Sequence, residues 1–164
     1  MKKKVITSLL YIAFISATAK NFDPDWSSLD SRETPQWFKD AKFGIFIHWG
    51  LYSVPAWGPK GSYAEWYLNG LLNGDTARTE YHSKHYGEDF HYREFINLFN
   101  PTKYDPDRWA NLFHKAGAKY IVLTSKHHDG FCLWPSEHSQ GYNSVEGKAN
   151  RDLLGDLNKA VKIR

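Results

Sequence analysis

Lys42-Phe43-Gly44-Ile45-Phe46-Ile47-His48-Trp49-Gly50 is the stretch that decides how this chain folds, because an apolar run ends abruptly in an imidazole and an indole. Phe43, Ile45, Phe46 and Ile47 are aromatic or β-branched. Their near-continuous hydrophobicity predicts a strand buried on both faces, as in a parallel sheet. His48 and Trp49 follow at its carboxyl end, where parallel α/β sheets and barrels place their active sites. A lone His in that position is ordinarily a satisfied structural residue. A second strand of the same design changes the balance. Lys119-Tyr120-Ile121-Val122-Leu123-Thr124 runs straight into Ser125, Lys126, His127, His128, Asp129 and Gly130. Adjacent residues of an extended segment point to opposite faces, so His127 and His128 share a ligand only if the backbone turns. Gly130 offers that turn.

The 164 residues are 41% hydrophobic and rich in aromatics, which argues for a core-forming globular chain. The formal charge is 21 − 18 = +3, and Lys2, Lys3 and Lys4 alone supply the excess. The remainder is balanced, so there is no electrostatic case for nucleic acid as a partner. Those lysines open a basic start, an apolar stretch over residues 5–15, and Ala17-Thr18-Ala19. This pattern predicts a signal peptide over residues 1–19 and a mature chain, from Lys20, that works outside the cytoplasm. The apolar stretch falls well short of the roughly 20 residues a membrane span needs. Cys132 is the single cysteine, a buried thiol or one that pairs beyond Arg164.

Residues 21–34 read as a polar, turn-rich lead-in, and residues 35–40 as a short helix with Pro35 in its first turn. Residues 52–74 read as a long aromatic loop with one embedded helical turn near 64–68. Residues 76–90 are polar and hold His82 and His85, with His91 just beyond. Lacking Cys or a carboxylate pattern around them, these histidines are expected on the surface of a helical excursion rather than on a metal. Residues 92–99 show helical spacing. Asp105-Pro106 predicts a capped helix start, Gly117 its end, and Asp152 the start of a further helix. The order β, loop, α, β, loop, α is the grammar of βα architectures. It predicts an α/β chain that forms the N-terminal portion of a (β/α)8 TIM-like barrel over residues 20–164, truncated at its C-terminus.

Taken together, Trp37-Phe38, the stretch from Lys42 to Gly50, Tyr52-Ser53-Val54-Pro55, Glu65-Trp66-Tyr67 and Lys126-His127-His128-Asp129-Gly130-Phe131 resemble, in order and spacing, the N-terminal part of the α-L-fucosidases of glycoside hydrolase family 29. The resemblance runs from Asp25 to the carboxyl terminus. It implies a retaining exo-glycosidase that removes terminal α-L-fucosyl residues from glycans or glycoconjugates, without metal or cofactor. It also implies that His48, Glu65, Trp66, His127 and His128 bind the sugar. Such a set suits that task, because imidazole, carboxylate and indole N–H match hydroxyls that both donate and accept, while aromatic surfaces meet the sugar's C–H face. Trp57 is a further candidate, for the pocket rim or for the core.

Retaining hydrolysis requires two carboxyl groups, one as nucleophile and one as acid and then base. In the family these come from later strands, so the resemblance implies catalytic residues beyond Arg164 and an isolated chain that binds without turnover. Glu65 is then expected to orient substrate and Asp129 to fix a turn. Two other readings stand beside this one: a different (β/α)8 glycoside hydrolase, and a non-catalytic carbohydrate-binding remnant.

Overall fold

A computed structural model describes residues 21–163. The expected signal peptide therefore lies outside the described residues. The chain divides into two units, one ending at Gln36 and one beginning at Trp37. In the first, helix α1 (Trp26–Asp30) is capped by Asp25, whose carboxylate accepts from the Ser28 N–H at 2.9 Å. The lead-in thus contains a helical turn where the sequence suggested turns alone, since Asp25 satisfies an otherwise unpaired N-terminal amide.

The second unit is built on two strands. Helix α2 (Gln36–Ala41) leads into β1 (Gly44–Ile47), which pairs in parallel with β2 (Tyr120–Leu123), Gly44 opposite Tyr120 and Ile47 opposite Leu123. The ladder extends at both ends through Lys119 N–H to Phe43 C=O and Thr124 N–H to Ile47 C=O, each at 2.9 Å. Helix α3 (Tyr67–Leu72), helix α4 (Thr76–Tyr86), a 3-10 helix (Tyr92–Asn97) and helix α5 (Pro106–Lys115) lie between the strands in sequence. Helix α6 (Leu153–Lys162) follows β2. Residues 52–74 are more ordered than expected, holding parts of two 3-10 turns (Leu51–Ser53, Ala64–Trp66) as well as α3.

Local signals set the helix ends. Asp105 accepts from the Arg108 N–H at 2.9 Å with Pro106 in the first turn, and Asp152 accepts from the Gly155 N–H at 2.8 Å. Gly117 adopts φ 86° immediately after the α5 cap, a left-handed conformation that suits glycine. The chain then enters β2 within three residues.

Strand alternation gives the sheet two unlike faces. Leu123 packs against the buried core, and Ile121 and Leu123 line a cavity of about 350 Å³ together with Leu154, Leu157 and Val161 of α6. The opposite face carries Phe46, 64% exposed, and its register partner Val122, 43% exposed. The sequence predicted cover on both faces. Among the described residues only one is covered, because α5 and α6 both belong to the Ile121–Leu123 side and only the Phe38 and Trp37 rings of α2 reach Tyr120 on the other.

The densest core lies beside the sheet rather than under it. Leu51, Tyr67, Phe95, Phe131, Leu133 and Leu153 are each at most 2% exposed and join the 51–99 excursion to the segment after β2. Gly44 has a steric duty of its own, since a Cβ there would fall 2.2 Å from the Tyr120 ring. Gly44→Ala is therefore expected to destabilise the protein by about 1–3 kcal/mol through overpacking. A thermal melt checks this, and an unchanged midpoint would show that Tyr120 moves freely.

Candidate functional site

His48 stands one residue beyond β1, on the same face as Phe46, with ring centroids 4.7 Å apart. Trp49, next in sequence, goes the other way. Its indole lies 5.0 Å from Tyr104, 5.3 Å from Trp109 and 5.6 Å from Phe99, within the aromatic core. The pairing of imidazole and indole suggested by the sequence is thus split between site and core, as strand alternation dictates.

The segment after β2 folds back on itself. Leu133 N–H donates to Ser125 C=O at 2.9 Å, Lys126 bridges antiparallel to Cys132, and Gly130 N–H donates to His127 C=O at 3.0 Å. Gly130 takes φ 81°, which makes the predicted turn. In consequence both imidazoles meet one indole. Trp66 lies 5.6 Å from His127 at 79° and 5.0 Å from His128 at 24°, an edge contact and a stack. His127 also stands 5.6 Å from His48 and 5.3 Å from Tyr52. Trp66 is supplied by the Ala64–Trp66 turn, which also presents Glu65. Glu65, Trp66, His128 and Asp129 together line a cavity of about 80 Å³. All five residues singled out in the sequence therefore fall in one neighbourhood.

A buried cation supports that turn from behind. Arg78, 5% exposed, pairs with Asp75 and donates to Ser62 Oγ and, at 3.1 Å, to the Tyr63 carbonyl just before Ala64. Gly70 leaves room for the Arg78 stem, since a Cβ at Gly70 would sit 2.3 Å from Arg78 Cδ.

Burial governs the electrostatics. The His127 imidazole is held below the ordinary histidine range, first by desolvation and then by the neighbouring His128 and His48, while Asp129 and Glu65 oppose the shift. It remains neutral where an exposed imidazole would begin to charge. Asp129 is pushed above the usual carboxylate range by burial, against donors that favour its charge. Tyr92 Oη donates to its Oδ2 at 2.7 Å and Phe131 N–H to its Oδ1 at 3.2 Å. Tyr52 Oη, Thr124 Oγ1 and His127 Nδ1 are buried with no hydrogen-bond partner among the described residues. Such atoms are costly in a purely structural cluster and mark groups with polar capacity to spare.

Other candidates belong elsewhere. Trp57 stacks on Tyr81 of α4 at 4.1 Å and 7°. His82 was expected on the surface but is 7% exposed, its Nε2 donating to Phe90 C=O at 2.7 Å and its Nδ1 accepting from Tyr67 O–H at 3.1 Å. The structural reason is that α4 packs on α3, so one of its polar positions must face inward and finds two partners there. His85 and His91 remain exposed. Cys132 is a buried free thiol, pushed up by desolvation. Among the described residues no group of three or more His, Cys, Asp or Glu is placed to hold a metal ion. Tyr52 entered the sequence reading only within a motif, and the role of Tyr92 against Asp129 was not read at all, because 37 residues separate that pair and no local pattern links them.

Comparison with known proteins points in one direction. The family model described as alpha-L-fucosidase matches residues 10–164. The alpha-L-fucosidase of Dictyostelium discoideum is 43% identical over 163 residues, covering 98% of this chain and 35% of that protein. The tissue alpha-L-fucosidase of Mus musculus is 45% identical, covering 92% and 32%. Among solved structures, the Thermotoga maritima alpha-fucosidase in complex with fucose superposes with a TM-score of 0.80 at 52% identity, over 87% of this chain and 35% of that one. The chain spans about a third of the length of the relatives it matches.

Proposed function

The chain belongs to the alpha-L-fucosidase family, and from that premise we propose that it supplies the sugar-recognising part of a retaining exo-glycosidase acting on terminal α-L-fucosyl residues. Residues 20–164 are then the N-terminal portion of a (β/α)8 catalytic domain, and the apolar face carrying Phe46 and Val122 is part of the barrel interior. Fucosylated glycans and glycoconjugates are the substrate class. A secreted or periplasmic site of action, lysosomal in a eukaryote, is the localisation that the N-terminal pattern supports. Among the described residues no helix is long and apolar enough to cross a membrane.

The observation that carries this reading is the meeting of His127 and His128 on Trp66, at 5.6 and 5.0 Å, with His48 5.6 Å from His127, at the carboxyl ends of two parallel strands. In this assignment the imidazoles and Glu65 bind the sugar's hydroxyls, and the Trp66 indole meets its apolar face. A neutral imidazole both donates and accepts, whereas a charged one only donates. His127 neutrality is therefore part of recognition.

Its depressed pKa fixes the expected pH dependence. The His127 contribution to L-fucose affinity, read by isothermal titration as the difference between the full-length protein and its His127→Ala variant, should hold constant from neutrality down past about pH 6.5, the ordinary imidazole midpoint, and fall only at lower pH. The same group adds stability above its unfolded pKa, and that contribution is lost as pH falls through the lower folded value. Absence of saturable fucose binding at any pH would overturn the assignment. A binding midpoint above the ordinary value would assign the titration to another group.

A further inference from the structure

We propose that Asp129, clamped by Tyr92, is a positioning residue for the sugar site: it holds the turn that carries His127 and His128, so the excursion between the strands acts on the pocket through one hydroxyl. The inference rests on the fucose-pocket reading for its consequence. Its geometry stands independently.

Asp129 receives one donor from each of two separate segments. Phe131 N–H closes on Oδ1 within the turn at 3.2 Å, and Tyr92 Oη reaches Oδ2 at 2.7 Å from the 3-10 helix Tyr92–Asn97. Tyr92 is itself 6% exposed and is gripped by the Phe95 and Tyr67 rings at 5.4 and 6.3 Å, so its hydroxyl is a fixed point. The turn being held is the one that places His127 and His128 on the same side, 5.0 Å apart, against Trp66. Without the anchor at Oδ2, the turn loses its hydrogen bond to the excursion.

A carboxylate is an unfavourable choice for anchoring alone. Burial raises the Asp129 pKa, so ionising it in place costs stability relative to the unfolded chain. Asparagine would keep both contacts without a buried charge, its Oδ1 accepting from Phe131 and its Nδ2 donating to Tyr92. The charge also bears on its neighbour. His127 faces Asp129 and His128 of its own turn, His48 at the end of β1, Glu65 beside Trp66, and Tyr52 of the Leu51–Ser53 turn. Among these, Asp129 is the larger of the two influences favouring the imidazolium. Asp129 in turn faces Tyr92, Tyr52 and Tyr142, the last with the Arg93 guanidinium 4.2 Å from its ring centroid. The carboxylate thus acts on His127 through its charge while its two oxygens hold the turn.

The test uses two variants of the full-length protein. Asp129→Asn is read by the His127 imidazole titration by NMR and by the thermal midpoint. The expected result is a lowered His127 midpoint. The thermal midpoint should be unchanged or higher. Tyr92→Phe keeps the charge and removes one hydroxyl. It should weaken L-fucose binding about three- to tenfold, the scale of one misplaced hydrogen bond, while retaining a cooperative melt. A His127 midpoint unaltered in Asp129→Asn, or full affinity in Tyr92→Phe, would overturn the proposal. His127→Ala separates the two readings: wild-type fucose affinity in that variant defeats the pocket assignment, whereas the Asp129→Asn titration still reports on the clamp.

Discussion

A polypeptide limited to residues 20–164 is expected to show no turnover of an aryl α-L-fucoside. Retaining cleavage passes through an oxocarbenium-like transition state, with a nucleophilic carboxylate on one face of the ring and a proton donor at the leaving oxygen. Enzymes of this kind accelerate by at least about 10⁶-fold, and losing either group removes most of that. The carboxylates nearest the imidazole cluster are Glu65 and Asp129. Asp129 is buried and engaged by Tyr92 and Phe131, which leaves it poorly placed to attack an anomeric carbon. Glu65 alone is not a pair. The open sheet face adds a second obstacle, since Phe46 and Val122 would meet water on an isolated piece and favour association. A version carried through the later strands of a complete barrel, assayed alongside, should turn over. Saturable hydrolysis by residues 20–164, abolished by Glu65→Gln or Asp129→Asn, would place the catalytic pair within this chain and overturn the division of labour.

Removing any one of the three imidazoles should weaken recognition by a comparable and large factor. His48→Ala, His127→Ala and His128→Ala are each expected to lower kcat/KM of the full-length enzyme about 5- to 150-fold, equivalent to about 1–3 kcal/mol, because a sugar hydroxyl in the closed pocket loses its partner. His48 and His128 are exposed among the described residues, so their loss should leave the thermal midpoint nearly unchanged. His127 is more enclosed and has an orphaned Nδ1, so truncating it removes an unsatisfied polar atom while leaving a gap. Full activity combined with lost stability in all three variants would make them structural residues.

Much of the local architecture is written in short-range signals. Asp105-Pro106, Gly117 and Asp152 mark helix ends because a cap acts through hydrogen bonds within a single turn, and each is realised as the residues imply. The two strands follow from β-branched and aromatic runs. The turn at Gly130 follows from the one residue there that adopts positive φ without cost. The candidate site was legible to the same extent, because His48 and the His127–His128 pair sit directly at strand ends, where parallel pairing brings them together.

What sequence alone determined was therefore the type and order of the elements and which polar residues end the strands, since these depend on neighbours within about one helical turn or one strand. Tertiary structure decided which side each residue serves. Trp49 became core because α5 brings Trp109 against it, and His82 became buried because Tyr67 and Phe90 lie across it. One sheet face stayed open because both covering helices took the other. Asp129 became an anchor because Tyr92, 37 residues away, is delivered to it by packing. No periodicity encodes such a meeting. It arises only when distant segments bury their aromatic surfaces together and the polar atoms left inside must find one another.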